Sequence, residues 1–310
     1  MDHIKESTEG LLKHEICKKW PELKEALIRS TAREPFSWKL PVVACEAVGG
    51  ESQDTLPALA AFTCIHIGIR LIDDLLDEDA RLESVEGNLA RTANLAIAFN
   101  ALSQDYLLSD KNDPRAAMAM KELGHMQLVL AYGQDLDAQN LGNEESYWEI
   151  AHAKSGVYFA SALCVGAIYG GASSSLAEKM REFGIVYGEI MQIHDDLNDT
   201  LDEAVGPDWE QGRYPLPILF AEIVEHPDQA RFIELREDIH KKGALKEAQE
   251  ILVRCGAISY AVNELMLRHE KAQGLLDDLA LKKPEVIQAL LDEVMEPVEH
   301  LFKVVGGGEE

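Results

Sequence analysis

Apolar residues along this chain recur at the three- and four-residue spacing of helices, and no stretch shows the convincing alternation of a strand. Breakers punctuate the pattern at Glu34-Pro35, Pro41, Pro57, Asp113-Pro114, Gly142-Asn143, Gly206-Pro207, Pro215 to Pro217, His226-Pro227, Pro284 and Pro297. They divide the chain into roughly ten to twelve helices, mostly of ordinary length. No long linker and no shift of composition marks a boundary. The pattern predicts one all-α domain over residues 1–305 and a flexible glycine-rich tail at 306–310. The longest apolar run, near residues 156–172, is slightly short for a membrane span and rich in Gly, Ala and Ser, so it predicts a buried helix.

Two of the apolar runs end in the same acidic pattern, D-D-x-x-D. The first is Asp73-Asp74-Leu75-Leu76-Asp77 and the second Asp195-Asp196-Leu197-Asn198-Asp199. On a helix, residues four apart share a face, so Asp73 stacks on Asp77 and Asp195 on Asp199 with like charges repelling. A run of aspartates often marks a solvated face or a cap, but the flanks here are too apolar for that: Cys64 to Ile72 before one, Tyr187 to His194 before the other. The economical reading is two carboxylate clusters on opposed helices, facing one cavity and holding magnesium against a phosphorylated substrate.

Composition narrows the field. The chain has 310 residues, 46% hydrophobic and 27% charged, enough for one large core or two domains. A net charge of −26 argues against nucleic-acid binding, which needs clustered Lys and Arg. The five cysteines (Cys17, Cys45, Cys64, Cys164 and Cys255) are scattered without a C-x-x-C pair, which argues against a zinc site or disulfide framework and for a reducing, cytoplasmic setting. The N-terminus is charged and lacks the apolar core of a signal segment.

The second acidic segment extends to Gln192-Ile193-His194-Asp195-Asp196-Leu197-Asn198-Asp199, or Q-x-x-D-D-x-x-D. With the first, it resembles the trans-isoprenyl diphosphate synthases, the polyprenyl synthetase family. Lys154-Ser155-Gly156-Val157-Tyr158-Phe159 is similar to that family's K-T/S-G-x-L-F helix start, and Gly133-Gln134-Asp135-Leu136-Asp137 to its G-Q-x-x-D. Gly206-Pro207-Asp208 followed by Gln211-Gly212-Arg213-Tyr214-Pro215-Leu216-Pro217 resembles a shortened G-K-x-x-D…E-G-K-x-T-L-P. The resemblance implies an all-α isoprenoid synthase fold, a helical bundle around a central hydrophobic cavity, a homodimer, and three Mg²⁺ ions bound with an allylic prenyl diphosphate. It implies metal ligation by Asp73 and Asp77 on one side and Asp195 on the other, with Asp199 nearby. Lys154 and Arg213 would hold the allylic diphosphate, with Arg213 standing where the family usually has Lys. Gln192 falls in the same substrate site, and Arg81 matches the first arginine of the family's R-R-G. His194, inside the motif, reads as a packed neighbour because magnesium prefers oxygen; His125 and His152 carry no assignment.

The resemblance fails at the second substrate, isopentenyl diphosphate, which the family binds through basic side chains without metal. The family's G-K-R-x-R-P appears as Phe36-Ser37-Trp38-Lys39-Leu40-Pro41, so Ser37 and Leu40 replace basic residues and Lys39 alone substitutes. The second arginine of R-R-G is Leu82. His66, seven residues before Asp73, matches a family isopentenyl-site histidine. The allylic half of the site is thus intact and the isopentenyl half eroded. Three readings stay open: a prenyltransferase, a terpene cyclase on the same scaffold, and a non-catalytic subunit of a heteromeric synthase, which the intact acidic clusters disfavour. Ile65, Gly68 and Ile69 are expected to line the hydrocarbon tunnel, with Gly68 leaving its first level open.

Overall fold

The computed structural model describes residues 2–32, 35–76 and 89–295. Among them the regular structure is entirely helical. Sixteen α-helices follow in order among these residues: α1 (Asp2–Leu12), α2 (Glu15–Lys19), α3 (Pro21–Thr31), α4 (Leu40–Val48), α5 (Leu56–Leu76), α6 (Leu89–Leu107), α7 (Pro114–Ala138), α8 (Glu144–Ala151), α9 (Val157–Tyr169), α10 (Ser174–Leu201), α11 (Pro207–Glu210), α12 (Leu216–Ile223), α13 (Gln229–Glu237), α14 (Ala244–Arg254), α15 (Ala257–Asp277) and α16 (Pro284–Glu293). Short 3₁₀ turns precede α4 and α5, and a π-turn at His152–Gly156 joins α8 to α9.

The breakers undercount the helices for two reasons. The two shortest, α2 and α11, have five and four residues, too few to show a period. Several prolines open helices instead of ending them: Pro21, Pro41, Pro207 and Pro217 all sit in a first turn, where no intrahelical donor is lost.

The residues divide into two compact units. The first comprises Met1–Gln127, Ser161–Arg181 and Leu279–Ile287; the second comprises Leu128–Ala160, Glu182–Asp278 and Gln288–Glu310. Four of the five divisions fall inside helices, in α7, α9, α10 and α16, and the fifth lies just after α15, which is why no linker is visible in the sequence. In the first unit, α5 is buried nearly continuously from Ala58 to Ile65 and packs along α6, which contributes Leu95, Ala96, Phe99 and Leu102. The segment Ser52–Leu76 is long and apolar enough to cross a membrane by length and composition, but 61% of its most apolar stretch is buried inside the protein, as a core helix would be. In the second unit, Trp209, Ile218, Phe232, Leu235, Ile251 and Leu252 form one hydrophobic core. The apolar run near 156–172 is the buried helix α9, as its composition predicts.

Candidate active site

Both acidic segments lie towards the C-terminal end of a long helix, α5 for Asp73 and Asp74 and α10 for Asp195, Asp196 and Asp199. That end carries the partial negative charge of the helix dipole and disfavours carboxylates. In α10 the strain is visible. Asp195 retains accessible surface, yet the surrounding protein withholds much of its solvent. Burial, with the Asp199 charge adding to it, pushes its carboxyl up to about 6. Burial and Asp202 likewise raise Asp199. Among the described residues neither carboxylate has a hydrogen bond or ion pair. Hard oxygen donors without a counter-charge fit a divalent cation such as magnesium.

Asp196, the neighbour of Asp195, is a different kind of residue. It is 4% exposed and accepts three hydrogen bonds: Tyr147 O–H at 2.7 Å, Leu216 N–H at 2.8 Å and the Gln192 amide at 2.8 Å. Burial lifts its carboxyl to about 7, while the three donors favour the ionised form. Gln192 in turn accepts from the Ser155 hydroxyl at 2.6 Å. His194 is buried and its ring nitrogen donates to the Val294 carbonyl at 2.5 Å, with a pKa lowered by burial. It is the packed neighbour that the sequence predicts.

The expected cations stand on the same unit. Lys154 lies in the π-turn, which seats against Gly133 of α7, where a Cβ would be 2.7 Å from Ala153 Cβ and 3.0 Å from Lys154 Cγ. Its Nζ is 2.6 Å from Asp137 Oδ2, and Arg213 Nη1 is 3.6 Å from the same oxygen. Asn140 donates to the Gly212 carbonyl at 3.0 Å and Arg236 to the Arg213 carbonyl at 2.6 Å, so the Arg213 segment is fastened on both sides. Asp208 feels all of this: burial raises its pKa most, Asp199 and Asp137 add to that, and Arg213 and Lys154 oppose it. Asp199, Lys154 and Arg213, placed in one site by the sequence, therefore share one electrostatic neighbourhood. Nothing in the sequence pattern singled out Tyr147, and Asp137 and Asp208 entered only as parts of motifs, without a role.

In the first unit, Asp73 is half-buried and Arg70 lies 3.7 Å from Asp74, one turn away. His66 packs edge-on to Trp38 at 5.4 Å between ring centres. Burial, helped by Arg70, depresses its pKa to about 4, so it is neutral at pH 7. Lys39 is exposed, with its ammonium 5.7 Å from the Phe36 ring centre. Ser37 is buried and Leu40 is fully buried, so neither position offers a cation or a reachable surface for one. Ile69 is half-buried and Ile65 fully buried. Gly68 has a packing role: a Cβ there would lie 3.1 Å from Asn100 Oδ1 and 3.2 Å from the Ala96 carbonyl, both on α6. A side chain added at position 68 would therefore need Asn100 and the α6 backbone at Ala96 to give by a few tenths of an ångström. Asp77, Arg81 and Leu82, and the tail at 306–310, lie outside the described residues. Among the described residues no group of three His, Cys, Asp or Glu gathers closely enough to hold a metal.

The raised pKa of Asp195 gives a signed expectation. Its folded-state value of about 6 exceeds the ordinary 3.8, so the folded protein holds that proton more tightly than the unfolded chain. The resulting stability is fully present below the unfolded value and is lost as pH rises through the folded one. Asp195→Asn should therefore raise the melting temperature of metal-free protein at pH 7.5, with a gain that fades towards pH 4. Melts in chelator across that range test this; an equal gain at both ends would show that charge is not the cause.

A family model described as polyprenyl synthetase matches residues 39–252. Among curated relatives, the geranylgeranyl diphosphate synthase of Methanosarcina mazei is 28% identical over 259 residues, covering 77% of each chain. The octaprenyl diphosphate synthase of Escherichia coli is 26% identical over 260 residues, again covering 77% of each. Among solved structures, the geranylgeranyl pyrophosphate synthetase of Pyrococcus horikoshii superposes with a TM-score of 0.81 at 22% identity, covering 95% of both chains, a likeness of fold.

Proposed function

The chain belongs to the polyprenyl synthetase family, and we propose that it is a magnesium-dependent trans-prenyltransferase that ionises an allylic prenyl diphosphate and transfers the prenyl group to an acceptor. Family members are prenyl diphosphate synthases, and thus transferases of prenyl groups. The observation that carries the reading is the neighbourhood of uncompensated carboxylates beside Lys154 and Arg213. Diphosphate brings about three negative charges, and its departure leaves an allylic cation. Lys154 and Arg213 would exchange their contacts with Asp137 for diphosphate oxygens, Arg213 through its planar fork and Lys154 as a point charge. Asp73, Asp77, Asp195 and Asp199 would hold magnesium, three ions by family expectation, which when bound neutralises the leaving diphosphate as a Lewis acid. Apolar side chains, Ile65 and Ile69 among them, would keep water from the cation.

The reading extends to a homodimer. Leu89 and Ile97 of α6 are 60% and 66% exposed, apolar surface that a second copy would cover. The buried thiols of Cys17, Cys45, Cys64 and Cys164 suit a reducing cytoplasm. The test is incubation with magnesium and geranyl, farnesyl or geranylgeranyl diphosphate, with and without isopentenyl diphosphate, and mass spectrometry of the products. No consumption of any allylic diphosphate would overturn the reading.

One observation favours a second reading, in which the cation is captured by the chain's own double bonds, as in a terpene cyclase. Leu40 and Ser37 are buried where the family carries basic residues. Isopentenyl diphosphate should then bind weakly or not at all. Calorimetric titration with magnesium and an allylic analogue present measures it, and micromolar affinity would return the balance to chain elongation, with Lys39 and His66 among the candidate ligands. The names of the relatives favour elongation; the acidic clusters disfavour a non-catalytic subunit, which has no use for metal ligands.

A further inference from the structure

We propose that Tyr147 is a positioning residue for the diphosphate-binding groups, acting through Asp196; the proposal rests on the function above. Tyr147 lies on α8 and is 8% exposed. Its O–H donates to Asp196 Oδ2 at 2.7 Å, and the same oxygen accepts the N–H of Leu216, the first residue of α12, at 2.8 Å. Oδ1 accepts from Gln192, whose own carbonyl accepts from Ser155 in the π-turn. One buried carboxylate thus ties together α8, α10, the start of α12 and the turn that bears Lys154.

What these ties hold is the proposed binding set. Arg213 is three residues before Leu216, Lys154 adjoins Ser155, and Asp195 and Asp199 flank Asp196 on α10. Both oxygens of Asp196 are committed to these donors, so the second aspartate of the motif fastens the site while its neighbours Asp195 and Asp199 are left to hold the proposed ions. A buried carboxylate with fewer donors is free to turn, and the bond that turning loosens first is the shared one to Leu216. The phenolic proton of Tyr147 keeps Oδ2 aimed at that amide, and the Arg213 segment is held with it.

Tyr147→Phe removes this proton and little volume. In ligand-free protein, amide hydrogen exchange over residues 213–219 should quicken. Calorimetric affinity for inorganic pyrophosphate with magnesium should fall about tenfold, the effect of one charge-assisted hydrogen bond. The KM for the allylic diphosphate should rise by a similar factor with kcat little changed. Tyr260→Phe is the control. It removes the hydrogen bond to Glu144, the first residue of α8 and one turn before Tyr147, without touching Asp196, and should leave pyrophosphate affinity unaltered. Equal losses in both variants would reduce Tyr147 to a prop for α8 and overturn the proposal. So would wild-type exchange and affinity in Tyr147→Phe. If that variant does not fold, Ser155→Ala cuts the same chain of bonds at its other end and should weaken pyrophosphate binding in the same direction; unchanged affinity there overturns the relay. Failure of the wild-type protein to bind magnesium and pyrophosphate would sink the proposed function instead, and the exchange comparison would still read whether Tyr147 fastens α12.

Discussion

Asp195→Ala is expected to reduce turnover of an allylic diphosphate by about a hundredfold or more, the scale seen when one electrostatic stabiliser of a leaving charge is removed. It should leave the protein folded. Asp195 has accessible surface and no hydrogen bond among the described residues, and its charge is opposed by burial and by Asp199. Removing it relieves repulsion and orphans no donor. Asp73→Ala should lose activity on the same scale.

The adjacent residue should behave in the opposite way. Asp196→Ala would strand the Tyr147 hydroxyl and the Leu216 amide in a buried place, each unsatisfied donor costing about 1–3 kcal/mol, and would leave the half-buried Gln192 amide without its acceptor. Its melting temperature should fall clearly, while that of Asp195→Ala should hold or rise. Steady-state pyrophosphate release and thermal melts on the two variants separate the roles. Near-normal turnover of Asp195→Ala at low magnesium would remove Asp195 from the metal site.

The contrast between these neighbours also marks what a sequence can and cannot disclose. The repeated acidic spacing was legible because a helix converts a separation of four into a shared face, and the apolar flanks said that the face was not merely solvated. Lys154 and Arg213 were legible by resemblance. Tyr147 was not, because its partner lies 49 residues away and nothing local distinguishes it from any core tyrosine. Asp208 was visible as part of a motif but its surroundings were not: burial acts on it first, then Asp199, Arg213, Asp137 and Lys154, from four separate stretches of chain. Gly68 shows a further limit. A glycine that opens a cavity and one that lets two helices touch look identical in sequence; what the structure adds at Gly68 is the close approach of Asn100 and Ala96 on α6. The helical class itself followed from periodicity over long helices, while the number of helices came out low because the shortest ones show no period.

Gly188→Val is expected to destabilise the protein by about 3 kcal/mol or more, or to prevent folding, because added volume meets backbone that cannot move alone. A Cβ at Gly188 would lie 2.5 Å from the Ser155 carbonyl oxygen and 2.7 Å from Gly156 Cα, and one at Gly184 would lie 2.5 Å from Ala160 Cα. The two glycines are four apart on α10 and form one strip against the π-turn and the start of α9. Glycine inside a helix costs about 1 kcal/mol relative to alanine, so this strip is retained against propensity for the approach it permits. At Gly274, in α15, a Cβ would meet no atom within 4 Å, and Gly274→Ala should stabilise by up to about 1 kcal/mol. Urea midpoints for both variants test the distinction, and a wild-type midpoint for Gly188→Val would refute the close approach. Where Gly188→Ala yields enough folded protein to assay, pyrophosphate binding should weaken as well, because the backbone that must retreat is that of Ser155 and it carries Lys154 with it.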